Sequence, residues 1–145
     1  MKKDLVKDWM STDVITITPE TTLPEAHQIM TTEEIRRLPV VDRDGRLVGI
    51  VSIGDIRSAE PSPATSLSIW EMNYLLSALT IDKIMTHHPK TIAVEATLAE
   101  AARMMLEHRV SGLPVVDDDF RVVGIITESD IFSMVVLHEW SKEHA

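Results

Sequence analysis

The apolar positions of this chain fall into blocks of two kinds. "LPVV" (38–41), "LVGIV" (47–51), "LPVV" (113–116) and "VVGII" (122–126) are short, mostly β-branched runs bounded by charged and turn-forming residues. That pattern predicts buried strands. Leu23, Ala26 and Met30, and again Leu98, Ala101 and Met105, recur at steps of three and four, which predicts two amphipathic helices. Thr22 with Glu25 and Thr97 with Glu100 give each helix a capping hydroxyl and a carboxylate three residues on. Pro24 lies in the first turn, where its missing N–H does no harm. Pro39 and Pro114 open their strands for the same reason. Shorter β-prone runs, 14–17 and 91–94, precede the helices.

The two sets of blocks are one phrase written twice. "WMSTDVITITPETTLPEAHQIM" (9–30) lies over "IMTHHPKTIAVEATLAEAARMM" (84–105), and "GIVSIGDI" (49–56) over "GIITESDI" (124–131). A single offset of 75 residues, Leu23 to Leu98, aligns everything without a gap. Two copies are too few for a solenoid, so a duplicated unit that pairs with itself is expected. Each copy reads β-α-β-β-α, a mixed α/β arrangement. The expected division is 1–59 as the first unit with an N-terminal helix, 60–80 as a linker with a helix, and 81–145 as the second unit with a helical extension. "DRDGR" (42–46) turns the first copy with Gly45 free to take positive φ. "DDDFR" (117–121) puts Phe120 in the glycine's place, so a different turn is expected there. A second helix is expected to begin near Ser52 and Thr127.

In the linker, 58–66 reads as a loop, and Ser66 or Ser68 is placed to cap the helix that follows. Ile69, Met72, Leu76 and Leu79 form one helical stripe, which Trp70, Tyr74 and Leu75 widen. Core packing accounts for such a stripe, and so does an oligomer surface, because it exceeds what one face needs. Leu5, Val6, Trp9 and Met10 make a short amphipathic start. Met134, Leu137 and Trp140 carry the last helix past the repeat.

Composition narrows the function classes. The chain has 145 residues, 44% hydrophobic and 26% charged, ordinary for a soluble globular protein. It has no cysteine, which removes thiolate chemistry and cysteine-ligated metals. The net charge is −9 and no basic cluster exceeds two adjacent residues, which argues against nucleic acid as a partner. No apolar run approaches the roughly 20 residues of a membrane span, and the N-terminus lacks the apolar core of a secretory signal. A cytoplasmic location is the expectation. No Walker loop, nucleophile elbow or metal-activated water motif is present, so an enzyme is not expected.

Candidate chemistry sits at the second helix of each copy. Ser52-Ile-Gly-Asp55 and Thr127-Glu-Ser-Asp130 each place a hydroxyl three residues before a carboxylate. An ionised Asp offers only acceptor oxygens, which suit the vicinal hydroxyls of a ribose, and the hydroxyl and helix N-terminus suit a phosphate. The same spacing is also a helix cap. Arg36 and Arg37 precede the first "LPVV" and could grip phosphate, or stand solvated beside Glu33 and Glu34. The second copy has Ser111 and Gly112 there, so the copies are not equivalent. His87-His88, Asp117-Asp118-Asp119 and His108-Arg109 read as a surface loop, a solvated turn and a helix C-terminus rather than as metal or phosphate sites.

Taken together, "TLPEA", "LPVVD", "VGIVSIGDI" and their second copies resemble a CBS domain, and the doubled pattern over 6–59 and 81–135 resembles a CBS pair. The resemblance implies two units packed sheet to sheet about a pseudo-twofold axis, with two clefts that take adenosine-containing ligands: AMP, ADP, ATP or S-adenosylmethionine. It implies ribose contacts from Asp55 and Asp130. It implies phosphate contacts from Ser52, Thr127, Arg36 and Arg37, with Ser111 at the matching place, and Thr16 and Thr91 beside the adenine. Mg²⁺ would accompany ATP. It further implies a homodimer and a separate effector protein as partners, with a ligand-free docking scaffold as the rival reading.

Overall fold

The computed structural model of the chain describes residues 4–60 and 66–140. In chain order the elements are α1 (Val6–Trp9), α2 (Leu23–Glu33), β1 (Arg37–Val41), β2 (Leu47–Ser52), α3 (Ile53–Ala59), α4 (Ile69–Ser77), a 3₁₀ turn (Ile81–Lys83), β3 (Thr86–His87), β4 (Ile92–Ala93), α5 (Leu98–His108), β5 (Gly112–Val116), β6 (Val122–Thr127), α6 (Glu128–Met134) and a π-helical turn (Val135–Trp140). The mixed α/β class expected from the blocks is what forms.

Two compact units result, one from residues 15–89 and one from residues 1–14 with 90–145. The first holds an antiparallel sheet ordered β1-β2-β3. Its core gathers Leu23, Ala26 and Met30 of α2, Leu38 and Val40 of β1, Val51 and Ile56, and Ile81 and Met85 from beyond the linker. The second holds β4-β5-β6, with β4 parallel to β5 and β6 antiparallel to it. There Leu98, Ala101 and Met105 of α5 pack with Leu113, Val115 and Ile126, and Val6 of α1 joins them fully buried.

The leading segment of each repeat thus builds into the unit of the other repeat. Ser11 pairs with Ile125 through bonds of 2.9 and 3.0 Å in both directions, and Thr86 and His87 pair with Ile50 and Gly49. A methionine from each segment lies on the glycine it faces, Met10 on Gly124 and Met85 on Gly49. A Cβ would leave no room there, which explains "VG" at the same place in both copies.

The two runs expected as first strands differ. Ile92 and Ala93 form β4, and Val94 N–H adds a bond to Val116 O at 3.3 Å. In the other copy only Ile17 pairs, bridging Val40. Pro19 stands where Val94 does and has no N–H to give.

The turns do not differ, contrary to the expectation for "DDDFR". Asp42 Oδ1 accepts from Asp44 N–H and Arg46 N–H, and Asp117 Oδ1 accepts from Asp119 N–H and Arg121 N–H, all within 2.9–3.0 Å. Gly45 takes φ 81° and Phe120 takes φ 63°. The aspartate holds the loop, and Phe120 tolerates the left-handed backbone.

Ser68 caps the linker helix, accepting from Glu71 N–H at 3.2 Å. Leu76 and Leu79 pack on the 15–89 core. Ile69, Trp70, Tyr74 and Leu75 stay exposed, Trp70 at 84%. The loop expected over 58–66 begins later, because α3 runs to Ala59, and 61–65 lie outside the described residues. No helix of the described residues is long and apolar enough to cross a membrane.

Candidate functional site

In each unit the returning strand runs straight into a helix, and that junction gathers most of the residues singled out above. In the 15–89 unit, Arg37 pairs with Ser52 across β1 and β2. Ile53 N–H donates to Arg36 O at 2.8 Å. Arg36, Arg37, Ser52 and Asp55 therefore meet at one end of the sheet. In the other unit Gly112 pairs with Thr127, and Glu128 N–H donates to Ser111 O at 3.0 Å. Ser111, Thr127 and Asp130 meet in the same way. The arrangement follows from the repeat, since one offset relates every member of the two sets.

The carboxylates are engaged locally. Ser52 N–H donates to Asp55 Oδ2 at 2.8 Å, and Asp55 N–H donates to Ser52 Oγ at 3.1 Å, a reciprocal cap on α3. In the other unit Thr127 gives both its N–H, at 2.8 Å, and its hydroxyl, at 3.1 Å, to Asp130 Oδ2. The cap reading of these motifs is thus realised in both copies. In each case one carboxylate oxygen carries the load, and Oδ1 has no partner among the described residues. Both aspartates are half-buried. A fixed, part-buried carboxylate with one uncommitted acceptor can take a hydroxyl from a ligand at little entropic cost.

Thr16 and Thr91 sit apart from these clusters. Each precedes a buried isoleucine, Ile17 or Ile92, that pairs with the fourth residue of β1 or β5. That register sets Thr16 level with Pro39 and Thr91 level with Pro114, about 7 Å along the strand from Arg37 and Gly112. Thr16 is exposed and Thr91 half-buried.

The sequence reading missed two side chains. A depression of about 450 Å³ in the 15–89 unit, between α2 and α3, is lined by Arg36 together with His27 and Arg57. His27 Nδ1 lies 2.9 Å from Glu60 Oε1. Setting the repeats side by side would have exposed both: 75 residues on, His27 becomes Ala102 and Arg57 becomes Phe132. His87, by contrast, approaches only the Asp82 carbonyl, at 3.0 Å. Among the described residues no three His, Asp or Glu side chains are grouped to hold a metal.

The model of the CBS domain family matches residues 6–62 and 81–137. A CBS domain-containing protein of Dictyostelium discoideum is 37% identical over 134 residues, covering 92% of each chain. L-aspartate semialdehyde sulfurtransferase of Methanocaldococcus jannaschii is 36% identical over 127 residues; the match takes in 88% of this chain but 22% of that relative. Among solved structures, the CBS domain pair of protein MJ0100 in complex with 5′-methylthioadenosine and S-adenosyl-L-methionine superposes with a TM-score of 0.77 at 34% identity, covering 93% of this chain and 98% of that one. CBSX2 of Arabidopsis thaliana in complex with AMP gives a TM-score of 0.77 at 27% identity, covering 92% and 96%.

Proposed function

We propose that this chain, which belongs to the CBS domain family and carries two copies of the domain, is a regulatory module that binds an adenine nucleotide and signals to a separate protein. Asp55 and Asp130 hold ribose. Arg36, Arg37, Ser52 and Thr127 hold phosphate, with Ser111 in the second copy, while Thr16 and Thr91 edge the base. AMP or ATP is the ligand, ATP with Mg²⁺. The observation that carries the reading is the pair of repeat-related aspartates, each fixed through Oδ2 and with no partner for Oδ1 among the described residues. The AMP complex of CBSX2 supports it. S-adenosylmethionine is the second reading, favoured by the MJ0100 complex.

Isothermal titration with AMP, ATP and S-adenosylmethionine tests this, read on the wild type and on Asp130→Asn. Asparagine keeps one acceptor for the cap and replaces the other with a donor. Affinity should fall more than tenfold, since hydrogen bonds to a charged group contribute about 1.5–3 kcal/mol each, with the melting temperature nearly unchanged. Unchanged affinity beside a lowered melting temperature would leave Asp130 a cap and nothing more.

The module works as a homodimer. Ile69, Trp70, Tyr74 and Leu75 on α4, and Phe132, Val136 and Leu137 at the chain's end, supply exposed apolar area. A one-chain mass of 16.3 kDa by light scattering at micromolar concentration rejects this. A ligand-free docking scaffold would use the same surface; no heat with any of the three ligands favours it.

A further inference from the structure

The depression between α2 and α3 has a chemistry at odds with the rest of the chain. The protein carries 23 acidic and 14 basic residues. Two guanidinium groups, Arg36 and Arg57, nevertheless line this one hollow. Both are exposed, and neither has an ion-pair or hydrogen-bond partner for its side chain among the described residues. His27 lines it too, held at its Nδ1 side by Glu60, and Thr31 adds a hydroxyl. Glu34 is the single carboxylate in the lining. At about 450 Å³ the hollow exceeds what one phosphate fills and falls within the ordinary range of small-molecule sites. Asp55 and Ser52 are not in the lining. Arg57 lies on α3 one turn beyond Ile53, which faces the hollow with it.

The second copy sharpens the point. Its equivalents of His27, Thr31, Arg36 and Arg57 are Ala102, Leu106, Ser111 and Phe132. If these cations served the fold, the repeat that shares the fold would need them. It does without all of them.

We propose that this hollow is a polyphosphate site, present once per chain, in which Arg36 and Arg57 grip adjacent phosphoryl groups. Guanidinium forks suit that task, since each presents paired donors to phosphate oxygens. The site shares Arg36 with the nucleotide reading above but does not depend on it, because a phosphate chain without a nucleoside should bind.

The test is a titration of the full chain with inorganic tripolyphosphate at low salt, without metal, on the wild type, Arg57→Phe and Arg36→Ser. Both substitutions install the residue of the second copy. One tripolyphosphate per chain is expected, weakening as salt rises. Arg57→Phe and Arg36→Ser should each lower affinity at least tenfold. Arg57→Gln guards against a folding defect caused by the added ring and should show the same loss. ATP and AMP then identify the source. If ATP displaces tripolyphosphate, and Arg57→Phe narrows the preference for ATP over AMP, the phosphates are a nucleotide's. If ATP does not displace it, the ligand is a free polyphosphate. Either result sustains the site. No binding of tripolyphosphate to folded protein, or binding that both Arg57 variants retain, overturns it. Loss of AMP binding in Asp130→Asn bears on the ribose contact alone, so the two readings fail separately.

Discussion

Where the 15–89 unit carries His27, Arg36, Arg57 and Glu60, the other unit carries Ala102, Ser111, Phe132 and Val135. Beneath those differences the frame is the same. Both units have the same antiparallel register with its slip before the last valine, Val40/Val41 and Val115/Val116. Both end the first long helix on a left-handed residue, Glu34 at φ 56° and Arg109 at φ 54°. Both hold their second helix through an aspartate at the third position. What the fold requires has stayed in both copies, and the helical faces have diverged. One has Arg36 and Arg57 beside a single hollow, with no side-chain partner among the described residues. The other has large apolar side chains, Leu106 at 81% and Phe132 at 65% exposed. A module built this way has two unlike surfaces on like frames. The tripolyphosphate titration is the strongest way to break that contrast, since it expects a tenfold loss from residues the second copy lacks.

The reciprocal methionine contacts offer the next test. A Cβ on Gly124 would stand 2.5 Å from Met10 Sδ and 2.9 Å from the Ser11 backbone oxygen. On Gly49 the three nearest atoms would all belong to the Met85 side chain, Sδ foremost. A methionine side chain can swing aside, but the Ser11 carbonyl is held by its bond from Ile125 N–H. Gly124→Ala should therefore cost about 1–3 kcal/mol, the range for overpacking, and Gly49→Ala clearly less. Urea denaturation of the two variants reads the difference. Equal costs would mean that the leading segments are held alike, and that the Ser11 bridge does not fix the backbone.

Much of this molecule is legible in the sequence because its signals are local. Thr22, Thr97 and Ser68 each cap the helix that follows them, and "LPVV" becomes a buried strand twice. The clustering of Arg36, Arg37, Ser52 and Asp55 was legible too, because it needs only a hairpin and the helix that follows. The exchange of leading segments was not. Met10 and Met85 face equivalent glycines in near-identical strands, so hydrophobic pattern cannot tell which copy either segment joins. The pairing of Arg57 with Arg36 was hidden for another reason. They lie on different elements, and only the tertiary packing of α3 beside α2 brings them to one hollow.

The smallest effect tests the most exposed likeness, the two turns. Gly45 at φ 81° and Phe120 at φ 63° occupy one backbone geometry. A side chain at such an angle costs about 1–2 kcal/mol, and a glycine adds back unfolded-chain entropy worth about 0.4–1 kcal/mol. Gly45→Ala should then lose about 0.5–1 kcal/mol. Phe120→Gly should gain about 0.5–1 kcal/mol, by the same two terms with signs reversed. Thermal melts of both variants read these shifts as opposite in sign. If Phe120→Gly instead lowers stability by as much as Gly45→Ala does, the ring must contribute packing that outweighs its backbone strain. The second turn would then be held by the Phe120 ring as well as by the Asp117 carboxylate, where the first has the Asp42 carboxylate and a glycine.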